Sequence, residues 1–246
     1  MKVAYQTDIG HQRKENQDRV AKFTAPDGTL LVVVADGIGG NRSGDVAAQI
    51  TVDHLGRQFQ AASPNSSLEA IRWFAREVQL INDEILQKST ENPKYQGMGT
   101  TLVAAIIFDQ AMVVANIGDS RGYVLHDNLL TQVTIDHSLV NELVKHGDIT
   151  EEEARNYPQN NIITRATGVS ADARIEVNRF DLGAGDQILL CSDGLSKMIT
   201  REQMMGVLES DLSLTEKCSQ LIKMANEAGG PDNITVLIGL AEDQEG

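Results

Sequence analysis

The chain has 246 residues, 41% of them hydrophobic and only 4% aromatic, so a core can form but must be filled by Val, Ile, Leu and Ala. Its formal net charge of −14 excludes nucleic-acid backbones and anionic membranes as main partners and suits a protein that gathers acids around cations. Two cysteines, Cys191 and Cys218, make no disulfide framework, and with no apolar leader or bilayer-length run the sequence predicts a cytoplasmic protein without membrane insertion.

A weak first strand is predicted at 2–8, followed by a β-branched run at 30–35 that ends on Asp36-Gly37. Residues 44–60 carry Val46, Ile50, Leu55 and Phe59 near a 3.6-residue period and predict a helix. A longer helix is predicted from Ser66 or Ser67, with Glu69 in a capping position and Trp73 and Phe74 as core anchors. Strands follow at 100–108, 111–117 and 122–127, the first two joined by the hairpin spacing Asp109-Gln110, and the glycines and threonines of "GMGTT" read as scaffold. Residues 136–170 are polar and short-helical, with Pro158, and predict a flap-like surface insertion. A strand at 187–192, a helix from Ser213 to the Gly229-Gly230 pair and a strand at 234–241 complete the chain. Too many strands follow one another directly for a doubly wound sheet, so the prediction is α+β: antiparallel sheets with helices packed outside. The chain divides into one catalytic domain over 1–241 and a short acidic tail over 242–246.

The recurring feature is an acid at a strand tip. Asp36, Asp119 and Asp193 each follow an apolar run, and Asp232 precedes one. One Asp-Gly is ordinarily a turn; four acids at strand ends predict convergence, provided the strand after Asp232 runs antiparallel to those ending at Asp36 and Asp193. Converging carboxylates repel one another unless a cation sits among them. No His or Cys accompanies them, which predicts oxygen ligation of Mg²⁺ or Mn²⁺ and not structural zinc. Gly37, lacking a side chain, lets its carbonyl approach the same ion. A dinucleotide fingerprint fails at Arg42 and a P-loop fails at Asp45.

The stretches "TDIGHQRKENQD", "VVADGIGG", "GMGTTLVAA", "ANIGDSRGYVL", "DHSLVNELVKHGDIT", "NIITRATG", "ILLCSDGL" and "GGPDNITVLI" occur in an order that resembles the metal-dependent Ser/Thr protein phosphatases, the protein phosphatase type 2C family, in its compact bacterial form. The resemblance implies a four-layer αββα sandwich with two central antiparallel sheets. It implies that Asp36 bridges two Mn²⁺ or Mg²⁺ ions, that the Gly37 carbonyl binds one, that Asp193 and Asp232 hold the other, and that Asp119 with Asp193 takes a third. Asp18 would orient water from behind these ligands, and Arg13 would bind the phosphate, which a planar guanidinium can grip at two oxygens. The implied reaction is hydrolysis of phosphoserine and phosphothreonine by direct attack of a metal-bridging water, with Arg13, Asp36 and Asp193 as catalytic residues.

Two departures from the pattern stand out. Asn41 occupies the place where the family usually has a histidine that protonates the leaving alkoxide, and an amide cannot do so at a useful pKa. Tyr157 replaces a frequent histidine before Pro158. The alternative reading is therefore a catalytically weakened, phosphoprotein-binding regulator of the same fold. Expected partners are phosphoproteins and a cognate eukaryotic-type Ser/Thr kinase, with the protein itself a monomer.

Overall fold

The computed structural model describes residues 1–39, 43–155 and 157–242. Its elements in chain order are β1 (Lys2–Asp8), β2 (Asp18–Thr24), β3 (Leu30–Ile38), α1 (Gly44–Ala61), α2 (Ser67–Glu91), a 3₁₀ turn (Pro93–Tyr95), β4 (Gly99–Thr100), β5 (Leu102–Ile107), β6 (Ala111–Ile117), β7 (Arg121–His126), β8 (Leu129–Gln132), α3 (Leu139–His146), α4 (Glu151–Arg155), β9 (Glu176–Asp181), β10 (Gln187–Cys191), α5 (Asp193–Ser196), α6 (Arg201–Leu208), α7 (Leu214–Glu227) and β11 (Ile234–Leu240).

The strands form two antiparallel sheets. One has the order β1-β11-β10-β7-β8; the other runs β2-β3-β5-β6-β9, with β4 added against β3. Helices α1 and α2 cover the outer face of the second sheet, and α6 and α7 cover that of the first. The architecture is α+β, a four-layer αββα sandwich.

Period-two alternation explains how the layers are glued. Along β3, Leu31, Val33 and Ala35 face the helices, while Leu30, Val32 and Val34 face the other sheet. Along β10, Leu189 and Cys191 pack on the helices and Ile188 and Leu190 point between the sheets. A strand covered on both sides has no polar face, which is why these segments read as unbroken apolar runs. Trp73 and Phe74 are core anchors: Trp73 packs edge-to-face on Phe59 at 6.1 Å and on Phe74 at 5.3 Å. The start of α2 is capped as its sequence suggests, with Ser66 accepting from the Glu69 amide, and α7 opens on a reciprocal box between Ser213 and Glu216.

The structure also holds elements the sequence reading lacks: β2, β8, β9 and α6. The predicted strand at 100–108 is interrupted at Thr101: its amide still donates to the Asp36 carbonyl at 2.9 Å, in the register that β4 and β5 share against β3, but the Asp36 amide donates to Thr101 Oγ1 at 3.0 Å. Residues 136–170 contain α3 and α4, and backbone bridges Ser138–Ile163 and Thr100–Thr167 tie this segment to itself and to β4. In the expected acidic tail, Glu242 pairs with Lys2 at 2.8 Å, and 243–246 lie outside the described residues.

Candidate active site

The alternation that builds the core also aims the acids. Asp36 continues the Leu30, Val32, Val34 register, so it lies at the mouth of the space between the sheets. Asp18 sits directly across from it in the β2–β3 ladder. From the opposite sheet, Ser192 follows β10 and Thr235 lies in β11, and both hydroxyls donate to Asp18 Oδ2, at 2.8 and 2.6 Å. Two side chains of one sheet thus hold a carboxylate of the other, closing the mouth of the sandwich around Asp18.

The expected strand directions hold only in part. β11 is antiparallel to β10, which brings Asp232 beside Asp193, but β3 belongs to the other sheet. Asp36 therefore meets them across the sandwich and not along one sheet edge. The meeting is nevertheless electrostatically tight. Burial, and then the charges of Asp18, Asp193, Asp119 and Asp232, push the Asp36 pKa well above the usual carboxylate range. Burial also raises Asp18 to about 7, against the two hydroxyl hydrogen bonds, which pull it down. Asp119 rises to about 6, chiefly from burial and then from Asp193, with Lys197 opposing.

Backbone contacts position these groups. The Asp36 amide donates to Thr101 Oγ1 at 3.0 Å, and Thr100 Oγ1 donates to the Asp36 carbonyl at 2.9 Å. The "GMGTT" threonines are scaffold, as expected, and what they support is Asp36. Gly37 is needed for close approach: a Cβ there would strike the Gly44 carbonyl at the start of α1. Gly118 donates to Nδ1 of buried His137 at 3.1 Å, and Nε2 of that ring faces Glu176 at 3.3 Å, which sets the turn presenting Asp119. Asn233 accepts from the Gln17 amide and donates to the carbonyls of Ile9 and Glu15, fixing the 9–17 loop that carries Arg13.

Two cations of the chain engage the acids. Arg13, half exposed, donates to Asp232 Oδ2 at 2.7 Å, so the expected phosphate ligand lies on the rim of the cluster but is paired with an expected metal ligand. Lys197 donates to Asp119 Oδ2 at 2.9 Å and to Asp193 Oδ2 at 2.6 Å, spanning the gap expected to take a third ion. Sequence reasoning missed this lysine. Its signal was the four-residue spacing from Asp193, which puts both on one helix face. Asn41 lies outside the described residues, and Tyr157 packs half-buried after α4.

Asp18 Oδ1, Asp119 Oδ1 and Asp193 Oδ1 are buried without a hydrogen-bond partner, and buried carboxylate oxygens are expensive to leave so. Among the described residues no three carboxylates close into a compact ligand shell, and Arg13 and Lys197 hold oxygens of Asp232, Asp119 and Asp193. The oxygen-only donor set, the orphaned oxygens of Asp18, Asp119 and Asp193, and the mutual repulsion suit a hard divalent cation.

A two-sheet sandwich with acids gathered at its mouth defines an α+β protein with an oxygen-ligand site, and comparison with known proteins specifies its class. Residues 8–233 match the family described as Protein phosphatase 2C. The chain is 42% identical over 239 residues, 97% of its length and 95% of the relative's, to the serine/threonine phosphatase stp of Listeria welshimeri. It superimposes on the S. agalactiae serine/threonine phosphatase with a TM-score of 0.93 at 37% identity, covering 96% of this chain and 98% of that one. The PstP catalytic domain in complex with two manganese ions matches with a TM-score of 0.86 at 34% identity over 98% of each chain. The chain belongs to the protein phosphatase 2C family and is a protein phosphatase of that type.

Proposed function

We propose that this phosphatase hydrolyses phosphoserine and phosphothreonine in protein substrates, using divalent ions held at the mouth of the sandwich. The observation that carries the reading is the convergence of Asp18, Asp36, Asp119, Asp193 and Asp232 from five separate segments, close enough that four of them raise the pKa of the fifth. Asp36, the Gly37 carbonyl, Asp193 and Asp232 would hold a core pair of Mn²⁺ or Mg²⁺ ions. When bound, such a pair lowers the pKa of water that attacks phosphorus and screens the phosphoryl charge.

The rest falls to the chain itself. Asp18, anchored by Ser192 and Thr235, orients the attacking solvent by accepting a proton-side hydrogen bond. Arg13 leaves Asp232 to grip phosphate oxygens when substrate arrives, and its half-exposed position on a loop allows that exchange. The acidic surface is no barrier to an anionic substrate once the ions set the local sign. Retention of every expected acid in one place supports catalysis over the phosphoprotein-binding alternative. The protein acts in the cytoplasm as a monomer, opposing a eukaryotic-type Ser/Thr kinase; among the described residues no helix is long and apolar enough to cross a membrane.

Hydrolysis of a phosphothreonine peptide tests the reading. Mn²⁺ is expected to support turnover, and chelation or Asp193→Ala to abolish it. Equal rates in stripped and metal-loaded protein would overturn it.

A further inference from the structure

The gap between Asp119 and Asp193 is filled from within the chain. Lys197 is the residue immediately after the four-residue helix α5, one turn beyond Asp193, and its ammonium reaches Asp193 Oδ2 at 2.6 Å and Asp119 Oδ2 at 2.9 Å. Its side chain is 29% exposed, while those of Asp193 and Asp119 are 14% and 2% exposed. Charge-assisted hydrogen bonds of this length to two partly buried carboxylates are strong. A divalent ion bound by the same two carboxylates would have to displace a cation tethered to the site, or sit against it at like charge in a poorly screened place. A tethered ammonium also needs no supply from solution: it neutralises the pair whatever the free metal concentration.

We propose that Lys197 is the resident cation of the Asp119–Asp193 pair, so that this phosphatase binds its core ions and no third. The inference rests on the core-metal reading above and concerns only what stands beside it. Lys197 is here a positioning residue: it holds the back of Asp193 while leaving Asp193 Oδ1, which has no hydrogen-bond partner, to the core. In the same way it ties the turn after β6 to α5.

Equilibrium Mn²⁺ binding to the full chain, stripped with chelator and followed by the electron paramagnetic resonance signal of free Mn²⁺, tests this without reference to activity. Wild type is expected to saturate at the core stoichiometry of about two ions, and Asp119→Asn to leave that number unchanged. Lys197→Met, which keeps the alkyl stem and removes the charge, and Lys197→Asp, which adds a carboxylate, are each expected to gain one ion, about tenfold tighter or more than any extra binding in wild type. Adding Asp119→Asn to either is expected to abolish the gain. A third ion in wild type that disappears in Asp119→Asn overturns the inference and leaves the core reading intact. Lys197 variants that bind no more than wild type overturn it too. Wild type that binds no ion at all overturns the core reading and this inference with it. The wild-type and Asp119→Asn comparison stands alone if a Lys197 variant fails to fold.

Discussion

At the scale of single residues, the site depends on side chains that never meet a substrate. Thr101 is the clearest. Its hydroxyl accepts from the Asp36 amide at 3.0 Å and bonds Ser120 Oγ at 2.7 Å, deep in the fold. Thr101→Val is nearly isosteric but leaves the Asp36 amide without that acceptor. Such a loss costs about 1–3 kcal/mol, which for a chain of this size lowers Tm by about 2–12 °C. The same change loosens the strand tip that aims Asp36, so kcat is expected to fall more than KM changes, and Thr101→Ser to restore both. A Thr101→Val protein with wild-type melting and turnover would remove the hydroxyl from the account. The sequence shows why such roles are hard to see. A threonine in a "GTT" run reads as strand in either case, and only the interruption between β4 and β5 reveals that the Thr101 hydroxyl takes the Asp36 amide.

At the scale of elements, close backbone approach decides where the acids can be. Gly194 opens α5 beside Asp193, and a Cβ there would collide with the Asn233 carbonyl next to Asp232. The obstacle is backbone, so no side chain can swing away. Gly194→Ala is expected to push α5 from the loop before β11 and to lower kcat/KM by about 100-fold, the scale on which small misplacements act. Gly206→Ala, in α6 with open space around it, is expected to keep wild-type kinetics and to gain about 0.5–1 kcal/mol in stability. Equal activity in the two variants would show that this packing does not set the site.

Which elements were legible follows from the same physics. β3, β5, β6, β10 and β11 are covered on both faces and announce themselves as apolar runs. β2 and β9 lie at the ends of their sheet, and β8 at the end of the other, so each alternates with polar residues such as Arg19, Lys22, Asn178 and Arg179 and escapes notice. The assignment of strands to sheets was not legible either. Asp36 and Asp193 end similar runs, yet they belong to opposite sheets. Convergence could be expected from the acids, but the route to it across the sandwich could not.

For the molecule as a whole, the acids are a source of instability that a divalent cation relieves. With a formal charge of −14, the chain already repels itself, and the cluster concentrates that repulsion. Asp18 and Asp119, with pKa values of about 7 and about 6, and Asp36, also raised, bind protons more tightly in the folded state than in the unfolded chain. For a carboxylate whose folded pKa is raised, stability is fully present below the ordinary carboxylate range and is lost as pH climbs through the folded value. Stripped of ions, the protein should therefore lose stability between about pH 4 and about pH 7. His137, lowered by burial, opposes this as a single group. Divalent ions compete with protons for the same oxygens, so their stabilising effect should grow over that window.

Thermal unfolding of chelator-stripped and Mn²⁺-loaded protein across this pH range is the most direct test that these aspartates form one cation-binding centre. The account predicts a Tm that falls with rising pH in the stripped protein, and an Mn²⁺-dependent increase in Tm that is larger at the alkaline end. A stripped protein whose Tm climbs through the window, or one that Mn²⁺ leaves unchanged at every pH, would contradict it.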